Sequence, residues 1–195
     1  MNKGELTKER IIEAAAPVFN RNGFTGTSLS DLMAATGLQK GGIYRHFKSK
    51  EELAVAAFDY AWKVARQVRW MEVDETPGAI AQLQKFVANF VERRTGLILG
   101  GCPVLNTAVD SDDGNPVLRE HVRKALRQWV KRIRDIIAGG IENHEIRQDV
   151  DPQAVATMLI SSLEGAIMMT RLQESVQPLQ QVRDYLNGFL QSLAR

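Results

Sequence analysis

The chain is 195 residues long, 44% hydrophobic and 25% charged, with a net charge of +2 and one cysteine. That is ordinary globular composition, with length for one large or two small domains. A lone cysteine excludes an internal disulfide framework. Met1-Asn-Lys-Gly-Glu begins no signal peptide, and no apolar run approaches the roughly 18 residues that span a bilayer, so a cytoplasmic protein with no membrane contact is expected.

In chain order, Thr7 is placed to cap a helix running to about Arg21, with Ile11, Ile12, Ala15 and Phe19 as its apolar stripe. Pro17 removes one backbone hydrogen bond inside that helix and bends it. Asn22-Gly23 ends it and turns Phe24 back as a core residue. Leu29, Leu32 and Met33 then recur at helical spacing, with Ser28 as cap, Asp31 completing an acidic capping box and Gly37 supplying the left-handed stop. A further short helix restarts at about Gln39 or Lys40, with Ile43 and Phe47 inward and Lys40, Gly42, Arg45 and His46 outward. Phe19, Phe24, Leu32, Ile43 and Phe47 are the expected core of this three-helix module.

A fourth helix is expected from Lys50 to about Trp70. Thr76-Pro77-Gly78 punctuates the chain, and Ile80, Leu83, Phe86, Val87, Phe90 and Val91 make a wide apolar face on a helix from about Ala79 to Arg94. Residues 96–103 read as an apolar loop into a short helix near Pro103 to Val109. Asn115-Pro116 is a cap and first-turn proline for a long helix carrying Leu118, Val122, Leu126, Trp129, Ile133, Ile136 and Ile137. Asp151-Pro152 starts the next helix, to about Glu174, and Pro178 or Leu179 the last, to about Leu193. With no repeat, low-complexity tract or convincing strand, the chain reads as all-α with about nine helices.

Charge is unevenly spread. Residues 1–50 hold eight bases and four acids, net +4, so the other 145 residues sum to −2. Helix, glycine-containing turn, helix over residues 28–47 is the helix-turn-helix arrangement, whose second helix enters the DNA major groove. A basic module bearing that motif, on a slightly acidic body, fits a DNA reader attached to something else.

Ile11-Ile12-Glu13-Ala14-Ala15 through Phe19, Gly23-Phe24, Thr27-Ser28-Leu29, Gly37-Leu38, Lys40-Gly41, Tyr44, His46-Phe47, Lys50 and Glu52-Leu53 together resemble the DNA-binding domain of TetR-family (tetracycline-repressor-type) transcriptional regulators. The resemblance covers about the first quarter of the chain. It implies an N-terminal three-helix DNA-binding domain over 5–65 and a C-terminal helical effector-binding and dimerisation domain over 66–195. The sequence departs from the family at Gln39, where Ser or Thr usually caps the recognition helix. Either that helix starts less firmly, or Gln39 reads a base.

The side chains around the motif suit double-stranded DNA. Gly41 and Gly42 let the backbone approach the duplex, and Tyr44 and His46 can donate to phosphates. Lys48 and Lys50 can neutralise phosphates, and Thr27 and Ser28 offer hydroxyls and amides at a helix start. Gln39, Lys40 and Arg45 can form paired hydrogen bonds to bases. Lysines of this kind are ordinarily a solvated face, and Tyr44 serves packing of the helix pair equally well.

Family resemblance further implies a homodimer through the last two helices, with Ser161, Gly165, Leu172, Tyr185 and Phe189 as candidates, although an intrachain core would use the same stripes. It also implies a small-molecule effector pocket. Trp62, Phe86, Phe90, Cys102, Trp129 and Met168 are candidate walls, beside Trp70, Leu97, Met158 and Met169; most residues of these types simply fill a core. Cys102 either senses electrophiles, as in some relatives, or is an inert buried thiol.

Other chemistries fail on spacing. His46, His121 and His144 lie far apart, so no metal site and no cofactor are expected. Asp110-Ser-Asp-Asp-Gly lacks the glycine and glutamate positions of a calcium loop and reads as a solvated turn. Nucleophile-elbow, dinucleotide and P-loop patterns are missing, so no enzyme is expected. The sequence thus points to a repressor released from an inverted-repeat operator by a small-molecule or electrophile effector. The alternative is a helical small-molecule sensor whose DNA head has weakened.

Overall fold

The computed structural model describes residues 2–92 and 98–195. Among these residues nine helices form and no strand, apart from an isolated bridge between Ile146 and Ala194. In chain order they are α1 (Lys3–Gly26), α2 (Leu29–Thr36), α3 (Lys40–Tyr44), α4 (Lys50–Arg69), α5 (Ala79–Glu92), α6 (Pro103–Ser111), α7 (Pro116–Glu142), α8 (Pro152–Leu172) and α9 (Gln177–Ser192). They divide into two compact units, Met1–Ala65 with Leu97–Ala125, and Arg66–Gly96 with Leu126–Arg195. The expected Arg94 helix end and the candidate wall residue Leu97 lie outside the described residues.

Local chemistry sets the helix ends. The first helix begins earlier than Thr7, because Asn2 accepts the Glu5 amide at 2.9 Å while Glu5 accepts the Asn2 amide at 2.7 Å. That reciprocal box is a stronger start than one threonine. Within α1 the backbone breaks at Gly23 (φ 72°, ψ 174°), a conformation open to glycine. Asn115 caps α7 through Leu118, and Asp151 caps α8 through Gln153 and Ala154, each followed by a first-turn proline as expected.

The first unit is built on alanines. Ala15, Ala16, Ala54, Ala57 and Ala61 are buried, so α1 and α4 can lie close, and Ile11, Phe19, Leu32, Ile43, Phe47 and Leu53 fill the space between them and the short helices. Phe24 packs on this core but is only half-buried. Leu118 is buried in the same core and Ile98 lies against it. That explains why 97–125 joins this unit, whereas the boundary expected near residue 65 places it with the body.

In the second unit α5 packs on α9, and α8 on α9. Leu83, Phe86 and Val87 of α5, Ile133 and Ile137 of α7, Leu159 and Leu163 of α8 and Leu186 and Leu190 of α9 are fully buried. By length and composition α8 could cross a membrane, contrary to the sequence expectation, but half of its apolar window is buried inside the protein. Polar pins hold the ends of this bundle. The Asn89 amide donates to the carbonyls of Arg69 (3.0 Å) and Met71 (2.9 Å), and Arg69 donates back to the Asn89 carbonyl at 2.9 Å. Glu145 accepts the first amide of α5, Ala79, at 2.6 Å.

Asn89 is fully buried, so replacing it strands two carbonyls at once. Asn89→Leu is expected to lower unfolding free energy by about 2–3 kcal/mol in a urea titration. A loss below about 0.5 kcal/mol would mean that water satisfies those carbonyls.

Candidate nucleic-acid interface

The reading motif is assembled from its stop and start signals. Asp31 accepts the Ser28 amide at 2.8 Å and the Ser28 hydroxyl at 2.7 Å, while the Ser28 oxygen accepts the Asp31 amide at 3.1 Å. The expected capping box therefore forms. At the other end Gly37 is left-handed (φ 68°, ψ 13°) and its amide donates to Met33 at 3.0 Å. The Thr36 hydroxyl donates to Leu32 and accepts the Leu38 amide, closing the turn. Only Gly37, Leu38 and Gln39 separate α2 from α3.

The recognition helix is shorter than expected, ending at Tyr44 rather than Phe47. Ile43 and Phe47 are both buried and hold it down. Gln39 sits at its N-cap with extended backbone (φ −73°, ψ 161°) and makes no side-chain cap bond. Its amide group is exposed, beside exposed Lys40 and Arg45. These three are the expected base readers, and the fold leaves all three on the surface.

The remaining candidates divide. Gly41 is exposed, and a Cβ there would meet nothing within 4 Å, so a duplex can approach closely. Gly42 does otherwise: a Cβ would lie 3.3 Å from the Leu38 Cβ, so this glycine serves packing of the turn. Thr27 is a correction. It is buried and its hydroxyl donates to the Gly23 carbonyl at 2.6 Å, so its side chain joins two backbone segments instead of meeting a phosphate. Ser28 is exposed, though its hydroxyl is engaged with Asp31.

Tyr44, the last residue of α3, is 36% exposed, and His46, in the turn after it, is half-buried. Lys48 is exposed, while the Lys50 ammonium lies 4.5 Å over the Phe24 ring and carries both a packing and a charge role. Sequence reasoning missed Ser30 and Ala34. With Met33, Gly37, Leu38 and Gln39 they line an open groove beside the turn. Their small size, spaced i and i+4 on the exposed face of α2, was the available signal.

The effector candidates fall into two groups. Trp62 and Cys102 are buried in the first unit, Cys102 as the N-cap of α6. Phe86, Phe90 and Trp129 meet in the second, with ring centroids 5.3–6.3 Å apart, and Trp70 stacks on Phe86 at 4.6 Å. Arg69 caps Phe90 and Arg132 caps Trp70, at 4.1 and 3.9 Å. Met168 is a second correction: it is 50% exposed, because it shares the face of Ser161, Gly165 and Leu172 along α8. On that face Leu172 is 78% exposed, and Tyr185 of α9 is 75% exposed. A Cβ on Gly165 or Gly188 would meet nothing within 4 Å. Phe189 is half-buried and Ser161 exposed.

Among known proteins, residues 11–57 match the model of bacterial regulatory proteins of the tetR family, and residues 79–186 match that of the tetracyclin repressor-like C-terminal domain. A TetR transcriptional regulator from Chloroflexus aurantiacus J-10-FL is 43% identical, with a TM-score of 0.94 over 100% of this chain and 99% of that one. A TetR-family regulator from Cytophaga hutchinsonii is 35% identical, with a TM-score of 0.92 over 100% and 98%. The HTH-type transcriptional repressor DhaR of Mycobacterium sp. strain GP1 is 29% identical over 89% of this chain and 87% of its own length.

The capping box carries a pH signature. Hydrogen bonds from the Ser28 hydroxyl and amide, with a further contribution from the Lys50 charge, hold the Asp31 carboxyl below its ordinary value of 3.8. A carboxylate depressed in the folded state adds stability above its unfolded value, and that contribution disappears as pH falls through the folded value. Asp31→Ala is therefore expected to lower the melting temperature near neutral pH, with the gap to wild type closing in acid below 3.8. A gap that stays constant into acid would show that the carboxylate charge is not what caps α2.

Proposed function

As the chain belongs to the TetR family of bacterial transcriptional regulators, we propose that it is a cytoplasmic, homodimeric repressor of an inverted-repeat operator, released by a small-molecule effector. The observation that carries the DNA reading is the surface of α3. Gln39, Lys40 and Arg45 stand exposed on a helix whose other side is locked into the core by Ile43 and Phe47. An uncapping side chain at Gln39 supports base reading over a weakened head, since the helix forms without calling on it. Lys48, Tyr44 and His46, with the amides at the start of α2, are the proposed phosphate contacts.

Dimerisation is proposed through α8 and α9. The apolar exposure of Leu172, Met168 and Tyr185 beside small Ser161, Gly165 and Gly188 supports it, because flat stripes of this kind let helices approach closely. A dimer also makes physical sense of the motif, since one half-site binds weakly and two heads read a palindrome. The aromatic group of Phe86, Phe90 and Trp129 supplies stacking surface for an apolar effector in the second unit. An effector that favours a dimer whose reading helices no longer match successive major grooves lowers operator affinity by that preference alone.

The DNA reading is tested by comparing two substitutions on operator and random duplexes. Gln39→Ala should cost about 1–3 kcal/mol per half-site on the operator and nothing on random DNA. Lys48→Ala should weaken both alike and reduce the salt slope by about one unit for each phosphate that is no longer neutralised. If Gln39→Ala weakens both duplexes equally, the side chain does not read sequence. For assembly, light scattering should find a dimer at micromolar concentration, Tyr185→Lys should yield monomer, and half-sites should lie about 34–36 Å apart. A monomer that holds a palindrome tightly would remove the dimer.

The burial of Cys102 supports packing over electrophile sensing. A thiol alkylator is expected to leave operator affinity unchanged in the wild type and in Cys102→Ser. Loss of affinity in the wild type alone, with an adduct on Cys102 by mass spectrometry, would reverse that assignment.

A further inference from the structure

The acidic run at the end of α6 reads as a solvated turn, and Asp112, Asp113 and Gly114 are indeed exposed. Asp110 is different. Its Oδ2 accepts the backbone amide of Phe24 at 2.6 Å, across 86 residues of sequence. The residue before that amide is Gly23, at the break in α1, and a Cβ on Gly23 would lie 2.6 Å from Asp110 Oδ1. One turn earlier on α6, Asn106 Nδ2 donates to the Asn20 carbonyl at 2.8 Å and to the Gly100 carbonyl at 2.8 Å. Asn20 in turn donates to the carbonyls of Leu99 (3.0 Å) and Gly101 (3.1 Å).

The register is informative. Residues 106 and 110 are one turn apart, as are residues 20 and 24. In a continuous helix the amide of residue 24 would donate to the carbonyl of residue 20. At the Gly23 break both ends of that rung are met from α6 instead: Asp110 takes the amide, and Asn106 supplies a donor to the carbonyl. Beneath them lies a cleft of about 20 Å³, room for a single water, lined in part by Gly23, Phe24, Thr107 and Asp110.

Downstream of the break everything leads to the reading motif. The Gly23 carbonyl accepts the Thr27 hydroxyl, the Phe24 ring seats the Lys50 ammonium, and Ser28 caps α2. We propose that Asp110 is a positioning residue for DNA recognition: by fixing the Gly23–Phe24 peptide it sets the direction of α2, and through the turn at Gly37 the placement of α3, while touching no DNA itself. This rests on the DNA-reading function above.

The test uses full-length protein and a duplex enriched from a random library on the wild type, alongside a random duplex of equal length. In Asp110→Ala the Phe24 amide loses a charge-assisted acceptor, and operator affinity is expected to fall about tenfold or more. Random-duplex affinity and salt slope should change much less than operator affinity, since exposed Lys48 touches neither Asp110 nor Phe24 and only Lys50, seated on the Phe24 ring, is disturbed. Asp110→Asn keeps an oxygen for the amide and should restore most of the operator affinity. Gly23→Ala, which forces a Cβ against Asp110, should impair operator binding in the wild-type background more than in Asp110→Ala. Circular dichroism and melting curves on each variant report the folded fraction.

Operator binding by Asp110→Ala equal to wild type would overturn the proposal. So would parallel loss on both duplexes, which marks simple loss of folded protein, or an Asn variant as impaired as the Ala variant. A wild type that enriches no duplex removes the DNA reading first, before any variant is made, and this inference with it.

Discussion

A helix of five residues containing two adjacent glycines cannot hold itself. Nucleating one helical turn is unfavourable in water, and α3 is barely more than one turn. Its existence depends on Ile43 and Phe47, buried against the alanine-rich surfaces of α1 and α4. Burying two such side chains contributes about 3–6 kcal/mol of hydrophobic free energy, enough to offset the glycines' backbone entropy. The exposed side of α3 therefore owes its shape to the core behind it, and the choice of exposed residues is released from any duty to make a helix.

The second unit solves a different problem. Its helices are long and strongly apolar on one face, so forming them is easy and fixing their ends is the difficulty. Buried or half-buried polar side chains do this from a distance. Asn89 and Arg69 tie α5 to the end of α4, and Glu145 caps α5 from the turn after α7. Gly140 shows how tight that corner is, since a Cβ there would sit 2.6 Å from the Ala79 Cβ and 2.8 Å from Ile146. The chain end joins in: the Arg147 amide donates to Leu193 and the Arg195 amide to Glu145. These junctions are ordered by hydrogen bonds, whereas the bundle's stability comes from area removed from water.

Much of this was legible because it is written in short-range chemistry. The box at Ser28 and Asp31, the left-handed stop at Gly37, the prolines at 116 and 152 and the apolar periodicities each announce themselves within a few residues. The start of α1 was misplaced because Asn2 and Glu5 cap more strongly than Thr7, a competition between two local signals. Thr27, Gly42, Asn20 and Asp110 were unreadable for another reason. For Thr27 and Gly42 the partner is one turn back, Gly23 and Leu38, and which side of that turn faces the core is not written locally; for Asn20 and Asp110 the partners lie some 80 residues away. A polar residue in a helix gives no hint of whether it meets water or a distant backbone. Met168 failed through residue type: methionine suggested a pocket, while its helical position gave it an exposed face.

The unused cap at Gln39 has a bearing on how such a protein changes over time. A serine or threonine in that place would have to be kept for the helix's sake, whatever DNA it faced. Here the side chain at the start of the reading helix makes no cap hydrogen bond, so its loss removes none. On the proposed base-reading role of Gln39, mutations at this position would be filtered by which promoters they recognise more than by the helix cap. On that same proposed role, a lineage with that freedom could retarget its regulator without first replacing a cap.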